Sequence, residues 1–300
     1  RFRGLDTWPG EDILTAMLDA QEQSVKAVRN ALPDIEKAAM AAARALKKST
    51  KGRIIYVGAG TSARLGVQDG SELLPTFGWP KLRTAFVIAG GKKALTVAVE
   101  GAEDDAAAAK GKIKKLKLTA NDVCIGLAAS GSTPFTVAAL EEAKKTGAVT
   151  IGIANNEDAR LLHVCDHPLL LETGAESIAG STRLTAGTSQ KITLNLLSSL
   201  IMVRLNRVYD NLMVDMKPTN AKLQARARNI VAQISGCDAT TADKAFTAAG
   251  NIKAAVLLAK GTTLKEAKSL LKESGGNLRL ALNKAAEMPQ QTPAYIIAIE

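Results

Sequence analysis

Five short apolar runs, "RIIYVG", "TAFVIAG", "DVCIGLA", "VTIGIA" and "HPLLLE", recur between residues 53 and 172. Stretches of helical character separate them, among them "TSARLGVQDGSELL", "DAAAAKGKIKKL" and "TPFTVAALEEAKKTG". A run that is apolar at every position needs cover on both faces, and strands joined through helices pair in parallel. The alternation therefore predicts an α/β fold, a three-layer sandwich with a parallel sheet between helices.

The flanks read as helical. Residues Pro9 to Ser49 divide into two helices, with Ile13, Met17, Val25 and Val28 near helical spacing in the first and Pro33 opening the second. A long apolar helix is expected from Thr185 to Val208, a turn at Lys217-Pro218, and another helix from Asn220. After Gly236 the chain becomes a succession of short Ala-rich segments, expected to form a small C-terminal three-helix bundle. The expected division is 1–235 for the α/β domain with its N-terminal helices and 236–300 for the bundle.

The 300 residues, 46% hydrophobic and 23% charged, suffice for a large core and a smaller one. The net charge of +10 suits an anionic partner of some kind. Aromatics make up 3% and are scattered, with no Cys/His finger spacing, so nucleic acid is not the expected partner. No apolar run has the length of a membrane span. Cys124, Cys165 and Cys237 are odd in number and far apart, which argues against a disulfide framework and for a reducing cytoplasm. The opening "RFRGLDTWPG" has neither Met nor a charged-then-apolar leader, and a few residues are expected to precede it.

In a parallel sheet, ligands collect beyond the carboxyl ends of the strands. Two loops there are rich in Gly and hydroxyls: Gly58-Ala59-Gly60-Thr61-Ser62-Ala63 and Ala129-Ser130-Gly131-Ser132-Thr133-Pro134. In the second, Pro134 suits a first helical turn, and the free amides and hydroxyls of Ser130, Ser132 and Thr133 would face an anion at a positive helix end. Helix capping alone is the plainer account of such hydroxyls. The first loop also fits G-x-G-x-x-G/A, but the acid expected about twenty residues later is absent from "TAFVIAGG". His163 and His167 lack further clustered ligands, so no metal site is expected. Of the acids, Asp104 and Asp105 suit the start of a helix, while Glu72 and Glu103 have no such assignment.

These stretches, with "VEGAEDD", "GSTRLTAGTSQK" and "NLMVDMKPTNAKL", occur in an order that resembles the N-acetylmuramic acid 6-phosphate etherases. That family belongs to the sugar-isomerase phosphosugar-binding superfamily, and the resemblance runs from about Arg53 through the C-terminal bundle. It implies a phosphosugar-binding, flavodoxin-like fold and a cytoplasmic homodimer without metal or cofactor. The implied reaction cleaves the D-lactyl ether of N-acetylmuramic acid 6-phosphate to D-lactate and N-acetylglucosamine 6-phosphate in cell-wall recycling. The family's two active-site glutamates fall on Glu72 and Glu103. Its phosphate-binding loop falls on Ser130, Gly131, Ser132 and Thr133, and its sugar-facing first loop on Gly60, Thr61 and Ser62. Ser181 and Arg183, in the turn ahead of the long helix, are further candidate contacts, with Arg183 expected to hold either that turn or the lactyl carboxylate. Ala63 departs from the family's G-T-S-G-R, Leu73-Leu74 from its S-E-C-P-P-T, and Thr185 stands where many members carry Lys. Relatives of the same fold also act as non-catalytic sugar-phosphate sensors or regulators; such a module needs the hydroxyl loop but no proton donor and acceptor.

Overall fold

The computed structural model describes residues 1–288, so 289–300 of the expected bundle lie outside the described residues. All five apolar runs form strands: β1 (Ile54–Gly58), β2 (Thr84–Ile88), β3 (Val123–Leu127), β4 (Val149–Ala154) and β5 (His167–Leu170). They make one parallel sheet in the order β2-β1-β3-β4-β5. That is the flavodoxin-like order, whose switch point lies between β1 and β3.

The helices in chain order are α1 (Gly10–Lys47), α2 (Gly60–Phe77), α3 (Ala106–Leu116), α4 (Pro134–Lys144), α5 (Arg160–Val164) and α6 (Thr185–Arg204). One face of the sheet, with Ile55, Val57, Val87 and Cys124, shares a core with Ala109 and Ile113 of α3 and Phe135 to Ala143 of α4. The alternate residues Tyr56 and Phe86 meet α2 closely, as strand geometry requires of side chains one position apart. α1 packs along β5 and β4. Burial pushes the Cys165 thiol up to about 11 and Cys124 further, so both act as protonated packing groups.

The two helices expected before Ser49 are one helix of 38 residues with Pro33 inside it. An interior proline costs about 3 kcal/mol, whereas burying one Val, Leu or Ile returns about 1.5–3 kcal/mol. The buried stripe Ala20, Ser24, Ala27, Val28, Ala31, Ile35, Ala38, Ala39 and Ala42 keeps its period straight through position 33, and Pro33 itself points outward. Continuity of the apolar face therefore outweighs the lost hydrogen bond.

Contacts divide the chain into two compact units, one of Arg1–Ser71 with Pro80–Ile201, the other of Glu72–Trp79 with the chain from Met202 onward. The second holds α7 (Ala221–Ser235), α8 (Ala239–Ala249), α9 (Ile252–Ala259), α10 (Leu264–Glu273) and α11 (Leu278–Ala286). Four helices thus follow Gly236 among the described residues where three were expected. Ala227, Ile230 and Val231 of α7 share their core. Each start is set by a polar cap: Asn220, Asp238, Asn251, the Thr263/Glu266 capping box and Asn277. These short helices follow one another so closely that periodicity alone merges them.

Candidate active site

β1 and β3 are neighbours with Gly58 opposite Leu127, so the two hydroxyl-rich loops leave the sheet side by side at its switch point. The first turns straight into α2 at Gly60, whose φ of +51° a residue with a Cβ adopts only under strain. Ser62 is buried and Thr61 half-buried. Arg64, one turn on, donates from Nε to Leu95 O at 3.0 Å and from Nη2 to Ala94 O at 3.1 Å, tying α2 to the segment after β2. Ala63 packs with Ile88 and Ala94, so its methyl fills a small core beneath the loop.

The second loop turns at Gly131, with φ +67°. The Gly131 amide donates to Ala128 O at 3.0 Å, and its carbonyl accepts from Leu161 N at 2.8 Å. Thr133 is the N-cap of α4, yet its side chain makes no capping bond. Capping therefore does not account for this hydroxyl. The amides of the first helical turn are taken: Pro134 has none, and Phe135 N donates to Glu103 O at 2.9 Å. Thr136 N and Val137 N both turn back to Thr133 O. What the start of α4 presents is its positive end and the hydroxyls of Ser130, Ser132 and Thr133. Ser130 Oγ also accepts from Ser132 N at 3.3 Å.

The Phe135–Glu103 bond fixes the turn that carries Glu103 against the start of α4, and the Glu103 side chain is exposed. Asp105 is the N-cap of α3, its carboxylate accepting from Ala108 N at 2.8 Å, as its position at a helix start suggests. Glu72 lies on an exposed side of α2 and belongs to the second compact unit. Twelve residues separate it from Gly60, a rise of about 18 Å along the helix axis.

A third segment joins the loops. The first turn of α6 lies against α2: a Cβ built on Gly187 would sit 3.6 Å from Thr61 Cγ2 and 3.9 Å from Leu65 Cδ1. Just before α6 runs the strap 176–184, with Ser181 half-buried and Arg183 exposed. The Glu176 carboxylate closes it, Oε2 accepting from Thr185 N and Oε1 from Ala186 N, each at 2.9 Å. Thr185 is fully buried, and Ser24 of α1 donates to its carbonyl at 2.8 Å.

Buried polar groups hold these helices in register. Asp69 of α2 accepts from Tyr56 OH at 2.7 Å, Asn195 Nδ2 at 2.8 Å and Ser198 Oγ at 3.0 Å. Burial pushes its carboxyl above the usual range, against the pull of those three donors and of Lys191. Asn155, after β4, donates to Leu171 O at 3.0 Å and Ser189 Oγ at 2.9 Å, and accepts from Gln190 Nε2 at 3.0 Å. Neither Asp69, Asn155 nor Glu176 is evident from sequence, because each finds its partners by tertiary contact.

The chain matches the model of the glucokinase regulatory protein N-terminal SIS domain over residues 37–144 and the SIS domain model over 104–200. It is 46% identical to the N-acetylmuramic acid 6-phosphate etherase of Deinococcus radiodurans over 94% of this chain and 93% of that one. The enzyme of the same name from Serratia proteamaculans is 44% identical over 94% and 95%. Among solved structures, a phosphoheptose isomerase from Francisella tularensis is 18% identical, covering 66% of this chain and 98% of that one with a TM-score of 0.48. With relatives this similar along nearly its whole length, and both hydroxyl loops at the switch point, the chain belongs to the N-acetylmuramic acid 6-phosphate etherase family of enzymes.

Proposed function

We propose that this chain removes the D-lactyl group of N-acetylmuramic acid 6-phosphate by elimination, with Glu103 as base and Glu72 as acid. The observation that carries the proposal is the 2.9 Å bond from Phe135 N to the main-chain oxygen of Glu103, which brings the backbone of this residue, its side chain exposed, to the start of α4. The 6-phosphate is held there by Ser130, Ser132 and Thr133 with the positive helix end. Gly60, Thr61 and Ser62 face the sugar, Gly131 shapes the phosphate turn, and Ser181 and Arg183 of the strap meet the lactyl carboxylate, for which a guanidinium is suited in two-point contact.

An unactivated ether resists hydrolysis, but in the open-chain sugar the hydrogen on carbon 2 lies beside an aldehyde. Glu103 takes that proton. The electron pair first rests on the adjacent carbonyl as an enolate; it then forms a carbon 2–carbon 3 double bond as the carbon 3–oxygen bond breaks, and Glu72 protonates the leaving lactate oxygen. Water then adds across the double bond, its hydroxyl to carbon 3 and a proton to carbon 2, giving N-acetylglucosamine 6-phosphate.

The active species in this reading is a homodimer. Leu14, Leu18, Val25 and Leu32 on α1 support that assembly: they recur at coiled-coil spacing and are exposed, the first two by 70% and 67%. The enzyme works in the cytoplasm, in keeping with its three free cysteines.

Incubation with N-acetylmuramic acid 6-phosphate and an assay for D-lactate tests the reaction. Release no faster than in a protein-free control, with saturable binding of the sugar, would establish instead the sensor reading to which the regulatory-protein match over 37–144 points.

A further inference from the structure

We infer that Glu176 is a positioning residue, a latch that holds the 176–184 strap shut by occupying the amino terminus of α6 with its own carboxylate. The assignment of the strap to substrate rests on the reaction proposed above; the latch itself rests on geometry. Glu176 lies nine residues before Thr185, beyond the reach of a local N-cap or capping box. Its two oxygens nevertheless accept from the first two amides of α6, each at 2.9 Å. A carboxylate at this end is favoured by the helix dipole, and bonds to a charged acceptor are stronger than neutral ones.

The rest of the strap has little to hold it. Ser177 and Thr185 at its ends are buried, but Ile178, Thr182 and Arg183 between them are exposed. Its backbone bonds are short-range: Ser181 N to Ile178 O at 3.0 Å, Gly187 N to Thr182 O at 2.9 Å and Thr188 N to Leu184 O at 2.9 Å. None of these three ties the 176–178 limb to α6. The carboxylate does.

The latch also sorts anions. Two helix starts face this end of the sheet with different endowments: the first-turn amides of α4 meet only neutral carbonyls, Phe135 N that of Glu103 and Thr136 N and Val137 N that of Thr133, while the leading amides of α6 meet a carboxylate. A substrate with a phosphate and a carboxylate then has one helix end, that of α4, whose positive charge no carboxylate already offsets. Its carboxylate falls to the strap side chains that Glu176 holds in place.

Trypsin tests the latch in the folded, full-length protein, because the Arg183–Leu184 bond lies in the strap. Glu176→Ala should be cut there about tenfold faster than the parent, with the 184-onward fragment identified by mass. Formate, which can refill the two amides, should restore resistance in the variant and leave the parent unchanged. Glu176→Gln, which keeps the size and one acceptor oxygen, should be intermediate and covers the case in which the alanine variant does not fold. Glu172→Ala, an exposed acid four residues earlier, should behave as the parent. In kinetics, Glu176→Ala should raise KM for the lactyl ether more than it lowers kcat, and inorganic phosphate should become a better inhibitor. Unchanged cleavage at Arg183 in both Glu176 variants, or faster cleavage that formate does not reverse, would overturn the latch. A parent protein that releases no lactate but passes the trypsin and formate tests would refute the reaction and leave the latch standing.

Discussion

Replacing Gly131 by alanine separates backbone strain from crowding in the phosphate loop. At φ +67° an alanine pays the left-handed penalty of about 1–2 kcal/mol. Its Cβ would also lie inside van der Waals contact with the Ala159 Cβ and 3.0 Å from the Ala154 Cβ. Both neighbours are buried and neither can rotate away, so overpacking adds about 1–3 kcal/mol. The sum of about 2–5 kcal/mol corresponds to a fall in melting temperature of about 5–15 °C for a unit of this size. Gly60→Ala is the comparison: its φ of +51° carries the same strain, but nothing lies within 4 Å of the new methyl. It should lose only about 2–6 °C. Calorimetry on the two variants measures the difference directly. Because crowding pushes the Gly131 turn off Ala159, affinity for phosphorylated sugars should fall further in Gly131→Ala than in Gly60→Ala. Equal melting temperatures for the two variants would show that the 128–133 turn yields without cost, and the steric argument would fail.

The two glutamates should part company in heavy water: Glu72→Gln loses lactate release but still exchanges the carbon-2 hydrogen, whereas Glu103→Gln loses both, each by about 10²–10⁴-fold. Exchange by Glu103→Gln alone would reverse the roles. Thr133→Val should weaken phosphorylated sugars by about ten- to a hundredfold and leave unphosphorylated sugars unchanged in a direct binding assay. Leu18→Lys with Val25→Lys should yield a monomer by light scattering, with activity falling in step; a fully active dimer would remove α1 from the interface. Asp122 is buried, and the pull of that burial on its carboxyl is outweighed by bonds from Arg53 and Thr119, which hold it below the usual range. Its stabilisation is present above about pH 4, the unfolded value, and is lost as pH falls toward the folded one, so Asp122→Asn should flatten the acid limb of a stability-versus-pH curve. An unchanged limb would mean that other carboxylates dominate acid unfolding.

The inner strands β1, β3 and β4 were legible because they are buried almost throughout and so nearly continuously apolar, a pattern that short-range reading detects; the edge strands β2 and β5, partly exposed, were read from their place in the alternation. α5, with five residues, is too short to show a period. Pro33 misled for the opposite reason: a local rule was overruled by the buried stripe on either side of it. The hydroxyl loops could be read because their chemistry is contiguous in the chain. Glu176 and Asp69 could not. Asp69 sits mid-helix, where an acid is ordinarily solvent-facing, and only the packing of α2 on Tyr56 and α6 turns it inward.

The bond from Ser24 to the carbonyl of Thr185 spans 161 residues, and those from Asn195 and Ser198 to Asp69 span 126 and 129. Such distant pairings make for slow folding, since chain entropy must be lost before the contacts can form. On the ribosome the consequence is an order of events. α1 emerges first with a face of alanines, and the strands that cover it, β4 and β5, follow more than a hundred residues later. Neither α1 nor α2 can settle its polar contacts until α6 has left the exit tunnel. The second unit waits longer still: it draws on Glu72–Trp79, made early, and on a bundle made last. Nascent chains halted before Arg204 should thus collapse without completing either core, and the interval before α6 appears is when this protein is most exposed to aggregation.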